Sequence, residues 1–218
     1  MVRVRAPRRD RVIRVARWLG QHPVRRLLRL QVEGAEHVPV SGPVVLVANH
    51  SAFLDGPVLF AAAPREGRFL VKSELYRGPL ARALAWLDQV PVNRGRADRT
   101  ALRAARSALE HGRLVGVFPE GTRGSGDVST IHDGVGWLVA HAQAPVVPVA
   151  LFGTRRSERR TTGLRVVFGA PVTVSVDGDP SARSTQAAVA ERIRVLLAAH
   201  VVSSRLPADP RNSRQVAA

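Results

Sequence analysis

Apolar residues cluster along this chain in short unbroken runs, and stretches of helical spacing separate them. Val44-Val45-Leu46-Val47-Ala48, Leu114-Val115-Gly116-Val117-Phe118 and the segment Ala144 to Leu151 carry no charge, so each reads as a buried strand. Strand candidates lie near 43–48, 68–72, 89–93, 114–118, 145–151, 164–168 and 172–176. Helix candidates lie near 57–63, 79–87, 97–111, 133–142 and 184–200. The alternation predicts an α/β fold with a largely parallel or mixed central sheet flanked by helices. Gly169-Ala170-Pro171 is too short for a crossover helix. The last two strand candidates are therefore expected as one bent strand or an antiparallel edge.

The first thirty residues have a different pattern. Val12, Val15, Ala16 and Leu19 recur on one helical face, with Arg11, Arg14 and Arg17 on the other and Ile13 and Trp18 at the borders. Gly20 and Pro23 interrupt this helix, and Val24, Leu27 and Leu28 suit a second short one. The chain thus divides into a basic amphipathic hairpin over 1–30, a domain over 31–202, and a polar tail over 203–218 expected to be disordered.

Charge sharpens the picture. The chain of 218 residues has 33 Lys+Arg against 17 Asp+Glu, a formal net charge of +16. Ten arginines stand against Asp10 alone in residues 1–30, which holds over half of that excess. A basic helix with tryptophan at its border suits an anionic membrane surface. No apolar run reaches the ~18 residues of a membrane span, and no uninterrupted apolar region follows the basic start, so no signal peptide is expected. Nucleic-acid binding would also use the charge, but aromatics are 5% of the chain and no RRM, KH, helix-turn-helix or zinc pattern is visible. The chain has no cysteine, which excludes a disulfide, a thiolate nucleophile and a cysteine-ligated metal.

Candidate chemistry follows the ends of the apolar runs. His50 and Asp55 lie five apart, just after Val44 to Ala48. On one straight helix such residues would point about 140° apart. In a strand-to-helix turn the backbone can bend and bring them together, with Pro57 as the first helical residue and Gly56 or Asp55 as the cap. Asp55 would then orient one imidazole nitrogen and leave the other free as a base. Pro119-Glu120-Gly121-Thr122-Arg123 follows the run ending at Phe118, and Asn93-Arg94-Gly95 follows Val90-Pro91-Val92. Arginine forks in such positions suit phosphate. No G-x-S-x-G elbow is present, so a substrate hydroxyl is expected to attack directly.

With four such blocks in this order, the chain resembles the 1-acylglycerol-3-phosphate acyltransferases, a family of glycerolipid acyltransferases. The N-H-x4-D block matches at Asn49, His50 and Asp55, and F-P-E-G-T-R matches from Phe118 to Arg123. The arginine block matches at Arg94, and the V-P-V-V-P-V-like block matches loosely from Ala144 to Val149. Two positions depart from the family pattern. Ile131-His132-Asp133-Gly134 stands where a basic residue usually precedes the glycine, and Gln143 stands where a glycine commonly ends the helix.

The resemblance implies acyl transfer from a thioester to an alcohol, with His50 as general base and Asp55 as its orienter. Arg94 and Arg123 would bind acceptor phosphate, with Lys72 as a third contact. Glu120, Gly121 and Thr122 would line the acceptor, through a carboxylate and backbone donors. The expected acceptor is lysophosphatidic acid, with glycerol 3-phosphate, another lysolipid or an amino lipid as alternatives. The donor would be acyl-CoA or acyl carrier protein, with no bound cofactor or metal. The protein would sit peripherally on the cytoplasmic face of the membrane.

Overall fold

The computed structural model describes residues 25–26, 29–93, 98–121, 123–124, 126–155, 157–158 and 163–205. Most of the expected amphipathic hairpin, the polar tail beyond 205, Arg94 and Thr122 lie outside the described residues.

The strands are β1 (Gln31–Glu33), β2 (Val44–Ala48), β3 (Gly67–Lys72), β4 (Val90–Val92), β5 (Leu114–Val117), β6 (Val146–Phe152) and β7 (Arg165–Phe168). The helices are α1 (Asp55–Ala62), α2 (Gly78–Trp86), α3 (Arg99–Glu110), α4 (Asp133–Ala142) and α5 (Arg183–Ser203). The strands form one sheet in the order β1-β7-β6-β2-β5-β3-β4. Neighbours are parallel except β6 and β7, which pair antiparallel from Val149↔Phe168 to Phe152↔Arg165.

β2 lies near the middle of the sheet, and all five of its residues are buried. Its side chains alternate between two cores, as a strand covered on both faces requires. Val45 and Val47 join α3, α4 and α5 residues such as Leu109, Leu138 and Ile193. Val44, Leu46 and Ala48 join Val58 and Leu59 of α1 and Phe168 of β7. α4 and α5 meet at Gly136, where an added Cβ would come within 2.0 Å of the Gln186 carbonyl oxygen. Only glycine allows that approach.

Three local features differ from expectation. α1 begins at Asp55 rather than Pro57. Proline is tolerated there because the first-turn N–H groups have no intrahelical partner. Residues 172–176 form no strand, and Val172 makes a single bridge to Val146. β7 takes the antiparallel place beside β6, and β1, three residues with no sequence signal of their own, closes the edge parallel to β7. An ion pair from Arg165 to Glu33 at 2.6 Å fastens that edge.

Candidate active site

The carboxyl ends of β2, β5 and β6 are adjacent, and the loops leaving them meet there. Ligands bind at such an edge in open α/β sheets. Asn49, the first residue after β2, is buried. It accepts from Leu151 N at 2.8 Å and donates to Leu151 O at 3.1 Å. One amide side chain therefore fixes the exit of β2 against β6.

His50 follows, 5% exposed, and Asp55 is fully buried. His50 Nδ1 and Asp55 Oδ2 are 2.9 Å apart. The same carboxylate oxygen accepts from Ser51 N at 2.6 Å and Ala52 N at 2.7 Å. The backbone bend predicted between the two residues is thus held by Asp55 itself. A carboxylate on Nδ1 requires the proton to be there, which leaves Nε2 as the basic nitrogen of the neutral ring. The hydroxyl of Ser51 pairs with Thr154 Oγ1 at 3.2 Å.

The loop after β5 clasps the histidine. Glu120 Oε1 accepts His50 N–H at 2.7 Å, and Gly124 N–H donates to His50 O at 3.0 Å. Both backbone polar groups of His50 are therefore held by the same loop. The Phe118 ring stacks on the imidazole, with centroids 4.5 Å apart. Burial raises the Glu120 carboxyl above its usual range, and the charges of Asp127 and Asp55 add to this, while the His50 backbone bond and the His50 charge oppose it.

Gly121 turns the loop with φ +68, and an added Cβ would come within 2.2 Å of the His132 ring. Its N–H donates to Phe118 O at 3.2 Å. His132 N–H in turn donates to Pro119 O at 2.8 Å. The departure at His132 therefore stands against the third block. Phe118 and His132 also line a cavity of about 420 Å³. Its lining joins apolar side chains such as Leu70, Val92, Leu102 and Leu138 to the polar Asn93, Asp98, His132 and Asp133.

The structure brings His50, Asp55, Glu120 and Gly121 together. Arg123 is exposed, with its guanidinium 5.7 Å from the centre of the Phe53 ring, in the loop after His50. Lys72 ends β3, two strands from β2, and pairs with Glu74 at 3.0 Å. Asn49 and Phe118 stood within the quoted sequence blocks but were assigned no role. Their partners are distant in sequence, and only the strand order joins them. Among the described residues no group of three or more His, Asp or Glu side chains could hold a metal.

A family model described as Acyltransferase matches residues 29–152. The chain is 32% identical over 146 residues to the 1-acyl-sn-glycerol-3-phosphate acyltransferase alpha of Homo sapiens, covering 62% of this chain and 52% of that protein. It is 34% identical over 149 residues to the lyso-ornithine lipid O-acyltransferase of Pseudomonas aeruginosa, covering 63% and 53%. The chain thus spans about half the length of these two relatives. The crystal structure of the 1-acyl-sn-glycerophosphate acyltransferase of Thermotoga maritima aligns with a TM-score of 0.62 at 24% identity, over 95% of this chain and 86% of that one. At that identity the likeness speaks to the fold.

Proposed function

Because the chain belongs to the Acyltransferase family, we propose that it moves a fatty acyl group from an acyl thioester to the hydroxyl of a lysophospholipid. The leading acceptor is 1-acylglycerol 3-phosphate, giving phosphatidic acid. The observation that carries this reading is the buried His50–Asp55 pair at 2.9 Å, set in a turn at the carboxyl edge of the sheet.

His50 Nε2 takes the proton of the acceptor hydroxyl as its oxygen attacks the thioester carbonyl. Asp55 holds Nδ1–H and stabilises the imidazolium that forms. The tetrahedral intermediate collapses, the carbon–sulfur bond breaks, and the thiol leaves with the proton that His50 returns. Phe118 stacks on the imidazole and also lines the neighbouring cavity. The apolar part of that cavity, Leu70, Val92, Leu102 and Leu138, suits a hydrocarbon chain.

Arg123 and Arg94 serve the acceptor phosphate, with Lys72 as a third contact, and Glu120, Gly121 and Thr122 line the acceptor. The donor is acyl-CoA or acyl carrier protein, and neither needs a bound cofactor. Among the described residues no helix is long and apolar enough to cross a membrane. Residues 1–30 carry ten arginines against one aspartate, a charge that suits an anionic leaflet, so our reading has the domain over 31–202 work peripherally at the cytoplasmic face. An amino-lipid acceptor is the second reading, favoured by the likeness to the lyso-ornithine lipid enzyme and by His132-Asp133 in place of the family's usual basic residue.

An acyl-transfer assay with one donor and a panel of acceptors tests the proposal. Lysophosphatidic acid is expected to give the highest kcat/KM. Arg123→Ala should raise KM for it by roughly ten- to a hundredfold, the scale of a hydrogen bond to a charged group, and leave phosphate-free acceptors unaffected. A better rate with lyso-ornithine lipid in the wild type would move the assignment to the second reading.

A further inference from the structure

The turn after β6 reaches the base from a side that none of the four sequence blocks includes. β6 runs parallel to β2, with Val149 opposite Ala48, so the two strands leave the sheet side by side. Gly153 then turns the chain with φ +71, a conformation open to glycine. Thr154 follows, 2% exposed, with its hydroxyl oxygen 3.2 Å from that of Ser51. Arg155 comes next, and its Nη2 donates to the Gly124 carbonyl oxygen. Both residues lie beyond Val149, the end of the fourth block, and beyond residue 152, the end of the family match.

The two contacts converge on His50. Ser51 is its chain neighbour and is held at both ends, its hydroxyl by Thr154 and its N–H by Asp55 Oδ2 at 2.6 Å. The same Asp55 oxygen meets His50 Nδ1. Gly124, on the other arm, donates its N–H to His50 O at 3.0 Å. Asn49, on the far side of His50, is bound to Leu151 of β6. The three consecutive residues Asn49, His50 and Ser51 are therefore all tied, directly or through Gly124, to segment 151–155. Gly126 packs the loop after β5 against the same turn, for an added Cβ there would lie 3.2 Å from Ser51 Cβ and 3.3 Å from Asn49 Nδ2.

We propose that Thr154 and Arg155 are positioning residues for the base. Thr154 acts through Ser51 and Asp55 on the imidazole, and Arg155 acts through Gly124 on the His50 backbone. Small displacements of a catalytic group are costly because attack needs the reacting atoms in near-contact geometry. The inference rests on the reading of His50 as general base.

Steady-state kinetics of the full chain with lysophosphatidic acid and one acyl thioester test it, in wild-type and His50→Ala backgrounds. Thr154→Val removes the hydroxyl and nearly keeps the shape. It should lower kcat by roughly ten- to a hundredfold, the scale of a misplaced group, with little change in either KM. Thr154→Ser keeps the hydroxyl and should restore most of the rate. Arg155→Ala should also lower kcat rather than raise KM, with partial recovery in Arg155→Lys; it keeps the test open if Thr154→Val does not fold. In the His50→Ala background both losses should vanish, because residues that act as a unit are not additive. A merely structural role would lower the melting temperature without that dependence. Wild-type kcat in Thr154→Val, or an equal loss with and without His50, overturns the proposal. A higher acceptor KM at unchanged kcat in Arg155→Ala overturns it for Arg155, which is then a substrate contact. If His50→Ala itself turns over like wild type, the base reading falls and this inference with it; if only the Thr154 and Arg155 variants do, this inference falls alone.

Discussion

Glu120 illustrates how one residue can answer two readings. Sequence resemblance sets its carboxylate against the acceptor, whereas the structure engages Oε1 with the His50 N–H at 2.7 Å. If that bond is its main work, Glu120→Gln keeps a neutral oxygen in the same place and kcat stays within a few-fold. Glu120→Ala leaves a half-buried N–H unpaired, at a cost of about 1–3 kcal/mol, and should lower both melting temperature and kcat. Equal loss in the two variants would mean that the negative charge itself acts on the acceptor. Tyr76, the only tyrosine of the chain, offers a second test at this scale. Its hydroxyl oxygen is buried, with no hydrogen-bond partner among the described residues. Burial, followed by the charge of Asp88, pushes its phenol up from 10.0 to about 12. The unfolded chain therefore ionises first as pH rises. The contribution of this group to stability is whole below pH 10 and is lost as pH approaches about 12. Phenolate absorbance should report a midpoint well above 10 in the folded protein, and a midpoint near 10 before unfolding would contradict that burial.

Among the elements, legibility followed length and burial. β2, β5 and β6 are unbroken apolar runs that need no distant information, and α4 occupies the predicted 133–142. β1 escaped because three residues with exposed ends carry no period, and their pairing comes from β7. The candidate at 172–176 had strand composition without a neighbour to pair with beyond Val172. The end of α4 shows a local rule at work. Gln143 adopts φ 47, ψ 31, the left-handed region that favours glycine. Its side chain is exposed. Gln143→Gly should relieve the backbone strain and stabilise the fold by about 0.5–1 kcal/mol, after allowing for the greater freedom of glycine in the unfolded chain. Thermal melting should rise by roughly 1–3 °C. A lower melting temperature would mean that the Gln143 side chain contributes a contact that outweighs its strained backbone.

At the scale of the whole molecule, the sheet turns two separate sequence blocks, Asn49 to Asp55 and Phe118 to Gly121, toward one edge. The His50–Asp55 pair was legible because a strand, a bend and a helix start are all local. The stack of Phe118 on His50 and the grip of Asn49 on Leu151 were not. Those contacts exist only because β2 lies between β5 and β6, and strand order is set by packing of the complete domain. The net charge of +16 told of a surface and not of a reaction, whereas the geometry at the sheet edge supports the proposal of His50 as a base with Asp55 as its orienter. Steady-state turnover of lysophosphatidic acid by His50→Ala, at saturating donor and acceptor, tests that specification most directly. The base role predicts a kcat at least ~10² below wild type with an unchanged melting temperature. Turnover within a few-fold of wild type in the folded variant would contradict it.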